Sequence, residues 1–185
     1  MNTLTREPPY TAEDLPTLED GHCYELVNGQ LVEKPMGAEA GLVAAKVIFL
    51  LQLFVRDHGG GLVFTSDAGY QVFPDDPNRV RKPDVSFICR GRLPNDRAPR
   101  GHLRIRPDLV VEVVSPNDLA EEVMARVADY LRAEVRLLWV IYPGARLVQV
   151  YRPGAASLAT AADELRGEDV LPGFACRVED LFAGI

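Results

Sequence analysis

The run Asp108-Leu-Val-Val-Glu-Val-Val-Ser115 constrains this fold more than any other stretch of the chain. A short continuous apolar segment of this kind suits a strand covered on both faces, which requires a sheet with further layers packed on it. Glu112 stands in its middle. An unpaired ionised carboxylate there would cost several kcal/mol through desolvation, so the acid must be paired, protonated or bound to a metal. Strand alternation puts Asp108, Val110, Glu112 and Val114 on one face, which sets the acid among valines.

The surrounding patterns supply the layers. Residues 22–34, HCYELVNGQLVEK, alternate apolar and polar around Asn28-Gly29, a strong hairpin signal. After Pro35 and Gly37, the spacing of Leu42, Val43, Val47, Leu50, Leu51 and Phe54 predicts a first helix over 39–56, ended by Gly59 to Gly61. Strands are expected at 62–65 and 70–73, joined by a turn at 66–69, and within Arg81-Lys-Pro-Asp-Val-Ser-Phe-Ile88, entered through proline. A loop rich in Arg, Pro and Gly precedes the central run. Beyond it Asp118 is the expected cap of a second helix carrying Leu119, Val123, Val127 and Leu131. A hairpin of 137–142 and 147–151 turns at Pro143-Gly144; the stretch 154–167 is weakly patterned, and a short strand near Phe174 and a turn at 178–182 close the chain. The order predicts an α/β fold, a mixed sheet flanked by helices. Its 185 residues fit one domain, here 22–185, preceded by an arm over 1–21 with a short docking helix near 12–18.

Charge and composition exclude several functions. A net charge of -7 and a pI near 5.0 argue against indiscriminate coating of nucleic acid. The charge is uneven, however: residues 79–106 hold nine cations against Asp84 and Asp96, a local +7 that leaves -14 for the remainder. Within that segment Arg81, Lys82, Arg90 and Arg92 are the expected phosphate contacts, with a solvated or internally paired loop as the alternative. No run approaches the roughly 20 apolar residues of a membrane span. The polar start, MNTLTREPPYTAEDLP, lacks a signal core, so a cytoplasmic protein is expected. Cys23, Cys89 and Cys176 are far apart and read as buried small apolar residues, not as a disulfide framework. His22, His58 and His102 have no zinc-ligand spacing, and Ser115 lacks a GxSxG elbow.

The natural companion of Glu112 is Asp84, in Lys82-Pro-Asp-Val-Ser86. If the two strands are neighbours, one acid from each can reach a single divalent cation, and Mg²⁺ needs only one or two carboxylates beside water and phosphate oxygens. That chemistry suits phosphodiester hydrolysis. The residue types equally allow Glu112 to be salt-bridged to an arginine, with Asp84 merely ending a strand.

The blocks YELVNGQLVEKPMG, KPDVSFI, PDLVVEVVSPND and YLRAEVRLLWVIYPGARLVQVYRP resemble the Uma-two family of endonucleases, within the restriction-endonuclease-like superfamily and its PD-(D/E)XK site. The resemblance runs in order over residues 22–153. It implies a restriction-endonuclease-like fold with an N-terminal hairpin, Asp84 and Glu112 as Mg²⁺ (or Mn²⁺) ligands, and Glu39 as an assisting acid at the head of the first helix. It also implies DNA as substrate and a homodimer. The lysine that the superfamily places two residues after the second acid is Val114 here. The family's helical lysine is Arg126, which can stabilise a phosphate but cannot act as a general base. Ala40 stands where a histidine is common, Tyr142 where an aspartate is common, and Glu134 where a glycine is common. These departures keep a second function open, that of a binding or interaction module of the same fold that does not cut, and a third, a scaffold whose acids only make salt bridges.

Overall fold

Alternation and turn chemistry build the first part of the molecule. A computed structural model describes residues 3–34 and 37–185; Pro35, within the link expected to precede the first helix, lies outside them. Strand β1 (Thr3–Leu4) pairs antiparallel with β3 (Gln30–Glu33), which pairs in turn with β2 (Tyr24–Val27). Asn28 and Gly29 both take positive φ, the two-residue hairpin turn that their side chains tolerate best. The arm is not loose. Ala12 and Leu15 pack with Leu26, Leu31 and Val80, although the expected docking helix shrinks to a single 3-10 turn at Leu15–Thr17.

Helix α1 (Ala38–His58) leads to β4 (Gly61–Thr65), β5 (Val85–Cys89) and β6 (Leu109–Val113), then helix α2 (Ala120–Arg132), β7 (Leu137–Tyr142), β8 (Leu147–Arg152) and β9 (Ala155–Thr160). The six strands form one sheet in the order β4-β5-β6-β7-β8-β9. Only β6 and β7 run parallel, as expected for strands joined through a helix. A small ribbon, β10 (Glu164–Arg166) with β11 (Ala175–Arg177), is followed by a 3-10 segment over Val178–Phe182 that buries Val178, Leu181 and Phe182.

Period-two alternation along β6 divides the core. Leu109, Val111 and Val113 join Val43, Val47 and Leu51 of α1, with Trp139 and Ile141, on one face. Val110 joins Val123, Val127 and Tyr130 of α2, with Leu138 and Val140, on the other. Each such aliphatic side chain contributes about 1.5–3 kcal/mol on burial, so a strand buried on both faces is what holds the two helices to the sheet.

Some expectations need correction. Residues 70–73 form no strand: β4 pairs with β5, while the fully buried Tyr70 makes single bridges to Arg81 and Leu103 and places its hydroxyl 2.7 Å from Ser86 Oγ. The need to seat that ring beneath the loops overrides the local β pattern. Leu119, not Asp118, is the N-cap of α2, because the Asp118 carboxylate turns to the Ser115 N–H and to Arg126. The weakly patterned stretch 154–167 contains β9, an edge strand exposed along nearly all its length, and so carries no burial signature. The three cysteines are half-buried rather than buried. Glu134 keeps the left-handed turn usual for glycine, at φ 55°, at a cost of about 1–2 kcal/mol. Finally, α1 is long and apolar enough to span a membrane by length and composition, contrary to expectation. It nevertheless lies on the sheet, burying Val43, Val47 and Leu51 in the core and leaving Phe49 64% exposed.

Candidate active site

Strand register brings the two acids together. β5 and β6 pair with Val85 opposite Val111, and one further step along that register sets Asp84 opposite Glu112. Asp84 accepts a hydrogen bond through Oδ2 from the Val113 N–H at 2.7 Å, which ties it to the strand bearing its companion. Its Oδ1 lies 2.8 Å from Lys34 Nζ, at the end of the β2–β3 hairpin. Glu112 points to the α2 face, as alternation requires. There the Tyr130 hydroxyl donates to Oε1 at 2.8 Å, and Arg126 Nε lies 3.2 Å from Oε2 without the alignment of a hydrogen bond. Arg126 is also held by Asp118, 2.9 Å from its Nη2. Arg126 and Tyr130 stand four residues apart on α2, one turn along the same face.

Burial sets the electrostatics. Glu112 is 3% exposed. Desolvation and the neighbouring Asp84 push its pKa up to about 7, against the opposing pull of Arg126 and Lys34. Burial also works against the Lys34 ammonium, but Asp84, Glu112 and Glu25 outweigh it and hold the pKa above the ordinary lysine value. Glu25 follows the same logic with reversed sign: burial disfavours its charge, while Arg81, Lys34 and the Lys82 N–H keep its pKa low.

These groups line a cleft of about 330 Å³ between the hairpin, the start of α1 and the ends of β5 and β6. Asp84, Glu112, Lys34, Arg126, Glu25 and Asp118 all face it. Glu39 sits in the first turn of α1 and is not among the lining residues, although its neighbours Ala40 and Gly41 are. Among the described residues no group of three or more His, Cys, Asp or Glu gathers around one point. The arrangement offers two opposed carboxylates flanked by two cations.

A family model described as "Uma2: Putative restriction endonuclease" matches residues 10–179. The chain belongs to the Uma2 family. A crystal structure of "a putative nuclease belonging to DUF820" from Anabaena variabilis is similar to it, with 21% identity, 94% of this chain and 98% of that chain covered, and a TM-score of 0.78. That likeness concerns the fold, which is restriction-endonuclease-like. No curated protein matches the chain.

Within the Uma2 fold the cationic segment behaves differently from its sequence reading. Arg81 is buried between Glu25 Oε2, at 2.7 Å, and Asp129 Oδ2, at 2.5 Å. The buried Lys82 donates from Nζ to the carbonyls of Gly21 and His22. Both expected phosphate contacts are therefore corrected to internal pairs that clamp the hairpin to the sheet, because an unpaired buried cation would be too costly. Arg92 lies 2.7 Å from Asp108 and is half-buried, whereas Arg90 is exposed.

Sequence reasoning missed Lys34, Glu25, Tyr130 and Asp118 at this Uma2 site. Lys34 and Glu25 lie inside the hairpin block that carries the family resemblance, but nothing in a hairpin's alternation tells which sheet end it folds over. Tyr130 could have been found by asking which α2 residue one turn from Arg126 can donate to a buried acid.

Proposed function

We propose that this Uma2 protein is a metal-dependent nuclease that hydrolyses phosphodiester bonds in DNA. The observation that carries the reading is the opposition of Asp84 and Glu112 on adjacent strands at a cleft, with Lys34 and Arg126 beside them. The donor set fits a hard divalent cation: two carboxylates close enough for Asp84 to raise the pKa of Glu112 are the pair whose repulsion a cation relieves. Asp84 and Glu112 would hold Mg²⁺ or Mn²⁺, which supplies charge neutralisation and activation of water when bound. Tyr130 and Arg126 fix the Glu112 carboxylate, and Arg126 adds positive charge near a bound phosphate without taking up a proton. Glu39, in the first turn of α1 beside the lining residues Ala40 and Gly41 but not itself lining the cleft, would assist only through water. The water oxygen bonds to phosphorus as the bond to the leaving ester oxygen breaks; one water proton goes to that leaving oxygen and the other to solvent, so a phosphate monoester dianion forms in a cleft that already carries cations.

The test is incubation of single- and double-stranded DNA with the protein in Mg²⁺, Mn²⁺ and EDTA, beside Asp84→Ala and Glu112→Ala. Metal-dependent cleavage lost in both variants is the expected result; cleavage persisting in both would sink the proposed site. A homodimer in the cytoplasm belongs to the same proposal, and a monomer by sedimentation at micromolar concentration would remove that part. One observation favours the second reading, a binding module that does not cut: Arg126 is already engaged by Glu112 and Asp118. DNA binding without cleavage under every metal would select it.

A further inference from the structure

Val114, two residues after Glu112, is a partly buried valine packed against the α2-side core, so the end of β6 places no cation beside its own acid. Arg126, the replacement on α2, is 7% exposed and lies between two carboxylates. Resting on the nuclease reading above, we propose that Lys34, delivered across the cleft by the β2–β3 hairpin, is the cation that contacts the substrate phosphate in this site.

Three observations carry the assignment. The Lys34 backbone N–H donates to the Cys23 carbonyl at 2.8 Å, which continues the hairpin ladder and fixes where the side chain starts. Its ammonium has two acceptors among the described residues, Asp84 Oδ1 and the Lys82 carbonyl, and a lysine has three N–H donors. One donor remains for an anion at the cleft. The Lys34 and Asp84 side chains are 17% and 19% exposed against 8% for Arg126, so of the two cations Lys34 is the one open to a ligand. The other lysine nearby, Lys82, is committed to backbone carbonyls. The bland role, a salt bridge that only holds Asp84 in place, uses one donor and needs no exposure.

The test compares the full chain with Lys34→Gln. Binding of a short DNA duplex is measured in Ca²⁺ over a series of salt concentrations, and cleavage is measured in Mg²⁺ and Mn²⁺. Removing a cation that pairs with a DNA phosphate lowers the slope of log K against log salt by about one, and loss of a charge-stabilising donor slows cleavage by about 100-fold or more. Circular dichroism and the melting temperature establish that the variant is folded. The salt slope of DNA binding alone, compared between Asp84→Asn and Asp84→Asn/Lys34→Gln, leaves no charged Asp84 unpaired and needs no cleavage, so a folding defect in the single variant does not decide the matter. An unchanged salt slope on removing Lys34 overturns the assignment whatever the cleavage rate. A reduced slope in a protein that cuts nothing under any metal keeps Lys34 as the phosphate-binding cation and rejects the nuclease reading. A wild-type chain that binds no DNA rejects both.

Discussion

The Tyr130 hydroxyl donates to Glu112 Oε1 at 2.8 Å, with both side chains buried, so α2 supplies the acid on β6 with a neutral partner as well as the charged Arg126. Tyr130→Phe removes that donor and leaves the ring volume intact. It should cost about 1–3 kcal/mol, as expected for a buried carboxylate deprived of a hydrogen bond. Urea unfolding of the variant beside the wild type reads the loss directly, and an equal midpoint would mean that Glu112 is satisfied without Tyr130.

Glu112 also makes stability depend on pH. Its folded pKa of about 7 lies above the ordinary 4.5, so between these values the folded state binds more protons than the unfolded chain. The contribution is fully present below pH 4.5 and is lost as pH rises through 7. In EDTA, the stability difference between Glu112→Gln and wild type should shift in favour of the variant from pH 5 to pH 8. A difference that does not move with pH would show that Glu112 titrates normally.

Arg81 and Arg90 belong to the same cationic stretch but should behave oppositely. Arg81 holds Glu25 and Asp129 together in the interior, and Arg81→Met leaves both carboxylates short of a partner, a loss of about 3–5 kcal/mol. Arg90 is exposed, and Arg90→Ala should fall within about 0.5 kcal/mol of wild type. Thermal melts of the two variants separate the cases, and similar melting temperatures would mean that the Arg81 pairs are not formed.

Calorimetric titration with Mn²⁺ addresses the carboxylate pair without any substrate. Asp84→Asn and Glu112→Gln should each weaken binding by about tenfold or more, since each removes one of two anionic ligands. Arg90→Ala should leave it unchanged. Equal affinities in all four proteins would place the cation elsewhere.

How much of this was legible beforehand differs by kind of residue. The central strand, the opening hairpin, both helices and the β7–β8 hairpin follow from period and turn chemistry, because each signal is carried by residues close in the chain. Residues 70–73 show the limit: a good β pattern gave way to the burial of one ring. Asp84 and Glu112 were legible as acids in apolar strands, and their pairing was a condition that the register fulfilled.

The sequence alone determined that Glu112 would be buried and in need of a partner, that Asp84 stood at the entrance of another strand, and that a hairpin would turn at Asn28-Gly29. These depend on alternation and desolvation, which act over a few residues. Only the tertiary structure decided which cations meet those acids. Lys34 reaches Asp84 across 50 positions and Arg81 leaves the supposed phosphate surface for Glu25 and Asp129, because buried charges choose partners by where the packed sheets bring them, not by distance along the chain.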